Sequence, residues 1–339
     1  MRIAYLLTTV ILMVALPVTA QTENELRQQL EAQKAINEQL RKRVERLEGT
    51  EPSPMPALRS LEQRPIQITQ ETPEATTAIQ EALVSKGLVL LPPGSFRIGP
   101  AFDWVHARSD FPRERSDNYT GSLTIQAGLP KGMMLTFNAP YSYRDTDSGS
   151  SSGVGDLYLA LSKTISNESE SMPSLVASLG YSHNNGKDPF GQVPIGFGFR
   201  VLSGSLSALK RFDPFALYGS LSYSYAYARN ISTENFLGES SFNGRVSPGD
   251  SWGYRLGTSL AATPQITLDA SVSGSFVSKS EVRSSASGSY KLPDATVGFF
   301  NLGSGFVITK NLSLLINASA GVTKDSPDLI FSISLPYRF

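Results

Sequence analysis

The strongest constraint on the fold is a strict two-residue alternation in the closing segment. Residues 329–339 read LIFSISLPYRF, and every second side chain from Leu329 to Phe339 is apolar or aromatic. Successive side chains of a β-strand point to opposite faces, so one face of this strand is wholly apolar. Many earlier segments repeat the pattern with small polar partners, and lipid covers so many such faces more readily than a second protein layer would.

Segments with this alternation recur after residue 95, and each has about the 9 to 11 residues that a tilted membrane strand needs. We predict twelve strands: residues 96–106, 119–129, 133–143, 156–165, 174–182, 201–211, 216–227, 252–262, 266–276, 296–308, 312–322 and 329–339. The predicted fold class is all-β, a twelve-stranded antiparallel transmembrane β-barrel over residues 95–339. The connections are alternately short and long, as expected for periplasmic turns and extracellular loops. The Ser/Gly-rich residues 145–155 and 278–289 are predicted to be mobile loops.

The alternation also assigns the two faces of the wall. The predicted outward face is clearest at Leu217, Leu221, Tyr223, Tyr225 and Tyr227. Three charged residues fall on the inward parity: Asp103, Arg255 and Asp269. Charges there require a lumen that holds water or a partner, so these residues either keep the interior wet, set an ion preference or hold an inserted segment. A twelve-stranded bore lies between a filled barrel and an open channel, and can admit one helix or one extended polypeptide.

The first 20 residues have the pattern of a secretory signal peptide. Arg2 is followed by an apolar stretch and by Val18-Thr19-Ala20, a small-residue cleavage site. No later run reaches the roughly 18 apolar residues of a membrane helix. We therefore expect the cell outer membrane as the location, with the N-terminal region in the periplasm.

Composition excludes several functions. The chain has no cysteine, and its 30 Lys+Arg balance its 30 Asp+Glu, so nothing points to a thiolate metal site or to nucleic acid. The two histidines are His106 and His183. Ser182 and His183 are neighbours in a strand and point to opposite faces, which argues against a serine–histidine catalytic site. We predict a protein that is not an enzyme and needs no cofactor or metal.

Residues 22–49 lack proline and carry a heptad pattern, which predicts a coiled coil. The seam and a trailing Arg/Glu pattern assign trimerisation to Leu26, Leu30, Leu40, Arg43, Val44, Leu47 and Glu48. Polar residues at Gln33 and Asn37 interrupt the seam, so they either specify register and strand number or indicate a single solvated helix. We favour a homotrimer.

A linker and a second helix separate the coiled coil from the barrel. Residues 50–72 are rich in proline and form the linker, and residues 73–94 form a helix, an apolar clamp and a turn. Pro73 starts the helix and Gly87 stops it. Its narrow apolar stripe contains Ala75, Ala78, Ile79, Ala82 and Leu83. This helix either caps the periplasmic mouth or plugs the lumen.

Two stretches resemble known families. Residues 81–94, EALVSKGLVLLPPG, resemble the motif before the first strand of the phenol-degradation meta-pathway type outer-membrane barrels. Within that group the whole layout is similar to the secretion channel of the functional-amyloid (Fap) system of biofilms. This resemblance implies homotrimers, a plug helix that gates each pore, and export of unfolded amyloid subunits. The aromatic end at Tyr337 and Phe339 resembles the strand by which the barrel-assembly machinery recognises its substrates.

The sequence therefore favours an outer-membrane channel that exports an unfolded amyloid-type polypeptide and is gated by withdrawal of the plug. The main alternative is a passive porin for small solutes, including aromatic ones. A structural coiled-coil anchor with an inert barrel is less favoured.

Overall fold

The computed structural model describes residues 78–110, 113–236 and 239–339. The predicted signal peptide, coiled coil, trimerisation residues and linker lie outside the described residues, as do residues 73–77 of the predicted helix. The described part consists of one short helix, α1 (Ala78–Ser85), followed by β-structure. Among these residues no helix combines the length and hydropathy needed to cross a membrane.

The β-strands come after α1 in the chain. They are β1 (Phe96–Asp110), β2 (Arg113–Leu129), β3 (Met133–Thr146), β4 (Gly149–Val154), β5 (Tyr158–Ser166), β6 (Ser174–Ser182), β7 (Val201–Phe212), β8 (Phe215–Ala226), β9 (Arg229–Phe236), β10 (Glu239–Ser247), β11 (Ser251–Thr263), β12 (Ile266–Val277), β13 (Ser280–Ser284), β14 (Gly288–Leu292), β15 (Ala295–Val307), β16 (Ser313–Gly321), β17 (Leu329–Ser334) and β18 (Tyr337–Arg338).

The predicted barrel is confirmed. The wall runs in the order β1, β2, β3, β5, β6, β7, β8, β11, β12, β15 and β16, and ends in β17 and β18, which both pair with β1. Counted with β17 and β18 as one interrupted strand, twelve antiparallel strands close on themselves. Closure leaves no free edge in the wall, as a membrane barrel requires.

The last strand differs from its prediction. Residues 329–339 were expected to form one continuous strand, but β17 ends at Ser334 and β18 begins at Tyr337. Proline has no backbone N–H to donate, so Pro336 interrupts the ladder between them. The Pro336 carbonyl still accepts a hydrogen bond from the Ser313 amide at 3.1 Å, which keeps the interrupted strand attached to β16.

The alternation of faces follows the sequence. In β8, Leu217 and Leu221 are 51% and 66% exposed on the outer wall, whereas Ala216 and Tyr218 are buried inside. Tyr337 and Phe339 also lie on the outer wall, with ring centroids 4.8 Å apart. The outer wall is therefore apolar with aromatic side chains near its ends, the surface that lipid favours.

The prediction that residues 145–155 and 278–289 are loops is wrong. Most of the first stretch forms β4, which pairs with the outer end of β3, and the second contains β13 and the turn into β14. β9, β10, β13 and β14 form a separate four-stranded sheet, here called the outer sheet. Serine and glycine suggested loops, but β4 pairs with the neighbouring β3 and β13 pairs with β14 and the more distant β10, and these pairings supply the backbone hydrogen bonds.

The outer sheet has an apolar core of its own, here called the outer cluster. Its buried members are Phe199, Ile231, Phe242, Val246 and Val282. Phe242 and Val282 are fully buried, and aromatic rings such as Phe236 pack edge to face against Phe242 at 5.2 Å. The sheet is thus fixed by packing, and Phe199 ties it to the loop between β6 and β7.

Candidate functional site

Helix α1 ends inside the barrel in a well-formed cap. The Leu88 amide donates to the Leu83 carbonyl and the Gly87 amide to the Val84 carbonyl, both at 3.0 Å. Gly87 has a φ of 69°. These two bonds and the left-handed residue form a Schellman motif, in which glycine avoids the strain that a Cβ would cause. The cap reverses the chain so that both α1 and the segment after it contact the wall.

The segment after α1 leaves the lumen by passing close over β2. The Gly94 amide donates to the Gly128 carbonyl at 2.9 Å, and the Gly128 amide donates to the Ser95 carbonyl at 2.9 Å. A Cβ on Gly128 would lie 2.0 Å from the carbonyl oxygen of Pro92, so the close approach requires glycine there. The segment is therefore fixed to the start of β1 and the end of β2.

Apolar contacts hold α1 against more than one side of the barrel. Leu83 and Leu88 pack with Leu209, Ala216 and Tyr218, which lie on the inner face of β7 and β8. Val84 and Leu91 pack against Met134 of β3 in a second cluster. The Ala78 amide also donates to Pro264, in the turn between β11 and β12, at 3.0 Å. α1 thus lies inside the lumen, at the end where the short turns occur.

A buried ion-pair group joins α1 to the place where the barrel closes, and is here called the seam anchor. Glu81 lies 3.3 Å from the Arg97 guanidinium and 4.0 Å from that of Arg338. Arg97 also donates to Gln126 at 2.8 Å and to Ser85 at 2.6 Å. Arg97 of β1 and Arg338 of β18 are register partners. Like charges directly opposite each other destabilise a strand pair, so the Glu81 carboxylate compensates a repulsion built into the closing strands.

A second polar contact, the lumen anchor, joins the segment just after α1 to β12 of the wall. Lys86 Nζ lies 3.4 Å from Asp269 Oδ2 of β12. Asp269 also accepts hydrogen bonds from the Tyr218 hydroxyl at 2.9 Å and the Ser259 hydroxyl at 2.7 Å. The carboxylate therefore has two neutral donors as well as the ammonium group, which makes its burial tolerable.

A polar cavity of about 260 Å³ remains beside α1. Its walls come from α1 and from β11, β12, β15, β16 and β17, and they include Lys86, Arg255, Asn301, Asn317 and Ser332. α1 occupies the neighbouring part of the lumen.

The predicted site residues fall into groups. Ala78, Ala82 and Leu83 are buried within the lumen, Ile79 packs at the edge of the same cluster, and Ala75 lies outside the described residues. Arg255 and Asp269 line the cavity beside Lys86. Asp103 is on the inner face of β1 but six residues beyond Arg97, about 20 Å along the strand, so it does not join them.

Sequence reasoning missed the side chains that make the polar anchors. Glu81, Lys86, Arg97, Arg338 and Tyr218 were not identified. A signal for the docking surface was present, however. Met134 and Leu209 are apolar residues on the inward parity, where a water-filled lumen predicts polar side chains, and both are buried under the α1 segment.

The two histidines lie apart from this site. His106 Nδ1 is 2.7 Å from Asp117 Oδ1, and His183 Nδ1 is 3.4 Å from the Tyr181 hydroxyl. His183 therefore contacts a tyrosine, and no hydrogen bond described here joins it to Ser182.

Comparison with known proteins identifies the fold. No protein-family profile matches the sequence. The structure is similar to an outer-membrane channel from Pseudomonas putida F1, with a TM-score of 0.62 at 14% identity over 74% of this chain and 97% of that one. The translocator domain of the autotransporter NalP from Neisseria meningitidis has a TM-score of 0.41 at 12% identity over 78% of this chain and 100% of that one. The KdgM porin has a TM-score of 0.39 at 10% identity over 70% of this chain and 99% of that one.

The likeness to the Pseudomonas channel shows a shared fold. Together with the apolar outer wall, that fold places the barrel in an outer membrane, surrounded by lipid.

Proposed function

We propose that this protein is an outer-membrane channel for an unfolded, amyloid-type polypeptide, and that the α1 segment is its gate. The observation that carries the proposal is the position of α1. It lies inside the lumen, and its buried contacts reach β1, β3, β8, β12 and β18. A helix about 10 Å wide is a sufficient obstruction in a barrel of this strand number.

The chemistry of the contacts supports a gate that can leave. Both anchors are charged, and the groups that form them can be rehydrated when the segment withdraws. A buried ion pair gains little over solvated ions because desolvation offsets much of the attraction. Polar anchors of this kind specify one docked position without making the docked state irreversible.

The inner wall supports an extended polypeptide as the guest. Serines and asparagines line much of the lumen beside α1, for example Ser271, Asn301, Ser304 and Ser319. Small polar side chains present donors and acceptors without a specific shape. A chain that crosses unfolded needs such a surface rather than a specific pocket.

The remaining features of the proposal concern assembly. We assign trimer formation to the coiled coil of residues 22–49, and recognition by the barrel-assembly machinery to Tyr337 and Phe339. The exposed position of the two aromatic rings on the outer wall is compatible with that second role.

The proposal is tested by deleting residues 73–91 and recording single channels in a planar bilayer. The lumen loses its obstruction, so we expect conductance to rise several-fold. Deletion of residues 22–49 is the control, because it removes the predicted coiled coil and leaves α1 in place, and conductance per pore should stay low. Unchanged conductance after the first deletion would refute gating by α1.

The nature of the guest needs a separate measurement. The polar cavity of about 260 Å³ favours one alternative, a passive porin for small solutes. Loss of extracellular fibres after deletion of the gene, with solute uptake unchanged, supports polypeptide export. Slower solute uptake with fibres intact supports the porin.

A further inference from the structure

The outer wall of β6, β7 and β8 changes character toward its extracellular end. In the membrane zone it carries Leu179, Leu206 and Leu221, all at least half exposed. Farther outward on the same face, β6 carries Tyr181, and β8 carries Tyr223 and then Tyr225. Aromatic side chains at this height mark the boundary between hydrocarbon and headgroups.

The strand register places a basic side chain directly above that aromatic level. Leu202 pairs with both Tyr181 and Tyr225, which defines one rung across the three strands. The Tyr227 amide donates to the Arg200 carbonyl at 2.9 Å, so these two residues share the next outward rung. That rung lies about 7 Å farther along the strands, toward the level of lipid headgroups.

A cavity of about 500 Å³ lies at this rung. It is lined by Tyr181, Asn184, Arg200, Tyr227, Ala228 and Arg229. These residues supply two guanidinium groups, an amide and two phenol rings. The lining contains no aspartate or glutamate, so its positive charge is not compensated locally.

Both guanidinium groups contact neighbouring residues, and Arg229 has the closer contacts of the two. Arg229 Nη1 donates to the Gly198 carbonyl at 2.8 Å, and its guanidinium carbon lies 5.4 Å from the centroid of the Phe190 ring. Arg200 Nε donates to the Asn184 side-chain oxygen at 3.4 Å. Each contact uses only some of the five N–H donors that a guanidinium carries, so others remain available to a ligand.

The outer end of β2 is different. There Arg115 donates to Asp117 at 2.7 Å, and Asp117 also accepts from Trp104 at 3.1 Å. The arginine at that position has a carboxylate partner, whereas no carboxylate lines the cavity at β6 to β8.

We propose that this cavity binds a phosphate group on the headgroup of an outer-leaflet glycolipid. Arginine pairs with phosphate through two parallel hydrogen bonds, and the tyrosine rings and the amide suit the sugar that carries it. The cavity lies one rung above the aromatic level, and Tyr181 and Tyr227 of its lining have the outward parity of their strand segments, which favours a lipid-borne phosphate over a free ion. The site does not depend on how the channel is gated.

The test compares binding of purified lipopolysaccharide by detergent-solubilised full-length chain, measured by native mass spectrometry. Combined Arg200→Gln and Arg229→Gln should weaken binding at least about tenfold, since a hydrogen bond between charged groups contributes roughly one tenfold step or more. Enzymatically dephosphorylated lipopolysaccharide should bind the unaltered chain equally weakly. Inorganic phosphate at millimolar concentration should not displace the intact lipid.

Arg283→Gln is the matched control, because it removes one extracellular arginine that already pairs with Glu281 at 2.8 Å. Its binding should equal that of the unaltered chain. Equal binding of intact and dephosphorylated lipid to the unaltered chain would overturn the proposal. This comparison does not depend on the folding of any variant. Full displacement by inorganic phosphate would show a free-anion site instead, and equal loss in the control would show a nonspecific charge effect; either outcome overturns the proposed lipid site.

Discussion

The α1 segment and the outer sheet both lie off the barrel wall, but they are held by different forces. The outer cluster is made of aromatic and aliphatic side chains, with Phe242 and Val282 fully buried. The α1 segment combines apolar contacts with two buried ion pairs, Glu81 to Arg97 and Lys86 to Asp269. Burial of apolar groups favours the packed state alone, whereas charged groups are nearly as stable in water as in a pair.

This difference indicates which region is built to move. Removing the outer sheet from its core would expose large aromatic surfaces to water without any compensation. Withdrawing α1 exposes apolar side chains too, but its charged groups regain hydration. The comparison therefore predicts a fixed outer sheet and a movable α1 segment. Substitutions in either region test this prediction.

The largest effect is expected from Phe242→Ala in the outer cluster. Phenylalanine-to-alanine changes in a packed core cost about 3 to 5 kcal/mol, so the outer sheet should open locally. Limited proteolysis should cut residues 229–292 much faster, while single-channel conductance stays low because α1 is untouched. Ser241→Ala, an exposed position on the same strand, should change neither measurement. A rise in conductance with Phe242→Ala would show that the outer sheet also controls the pore.

Glu81→Gln in the seam anchor comes next. It leaves Arg97 and Arg338 facing each other without the carboxylate, and breaking a buried pair costs about 3 kcal/mol or more. Because that cost falls on the docked state, the fraction of time spent open should rise about a hundredfold, which single-channel recording measures. In a double-mutant cycle with Arg97→Gln, the effects on open probability should be strongly non-additive, since each substitution removes the same contact.

The control for the seam anchor is Asp103→Asn. This residue is also an inward carboxylate, but it lies about 20 Å along β1 from Arg97. Open probability should stay at the level of the unaltered chain. If Asp103→Asn opens the channel as often as Glu81→Gln does, the effect comes from lumen charge rather than from the anchor.

The seam anchor also shows where prediction from the sequence stops. The twelve wall strands were predictable because each carries its own two-residue alternation, whatever it pairs with. The inward parity of Arg97 follows from the same rule. The contact with Glu81 does not follow from that rule, because the rotation of a helix inside a closed lumen depends on all the strands around it.

The outer sheet was missed for a related reason. Val246 and Val282 are register partners although the sequence separates them widely, and serines and glycines surround both. Short strands of this composition have no distinctive local period. Only their long-range pairing and the shared contact with Phe242 define them, and neither is visible in a single segment.

Lys86→Met in the lumen anchor should have a smaller effect than Glu81→Gln. Asp269 loses its ammonium partner but keeps the hydroxyls of Tyr218 and Ser259, so the docked state loses about 1.4 kcal/mol. We expect open probability to rise about tenfold in single-channel recordings. Lys310→Met, in an exposed turn, is the control and should have no effect. An effect larger than that of Glu81→Gln would reverse the proposed order of the two anchors.

The smallest effect is expected from Arg283→Gln in the outer sheet. The hydrogen bond from Arg283 lowers the pKa of Glu281, so the pair is present at neutral pH and is lost as pH falls through that lowered value. Both side chains are solvent-exposed, and water screens their attraction. Proteolysis of residues 229–292 should therefore proceed at the same rate in the variant and in the unaltered chain, at pH 7 and after acidification below the pKa of Glu281. If Arg283→Gln opened the sheet as Phe242→Ala does, charge rather than apolar packing would hold it, and the contrast with the α1 segment would fail.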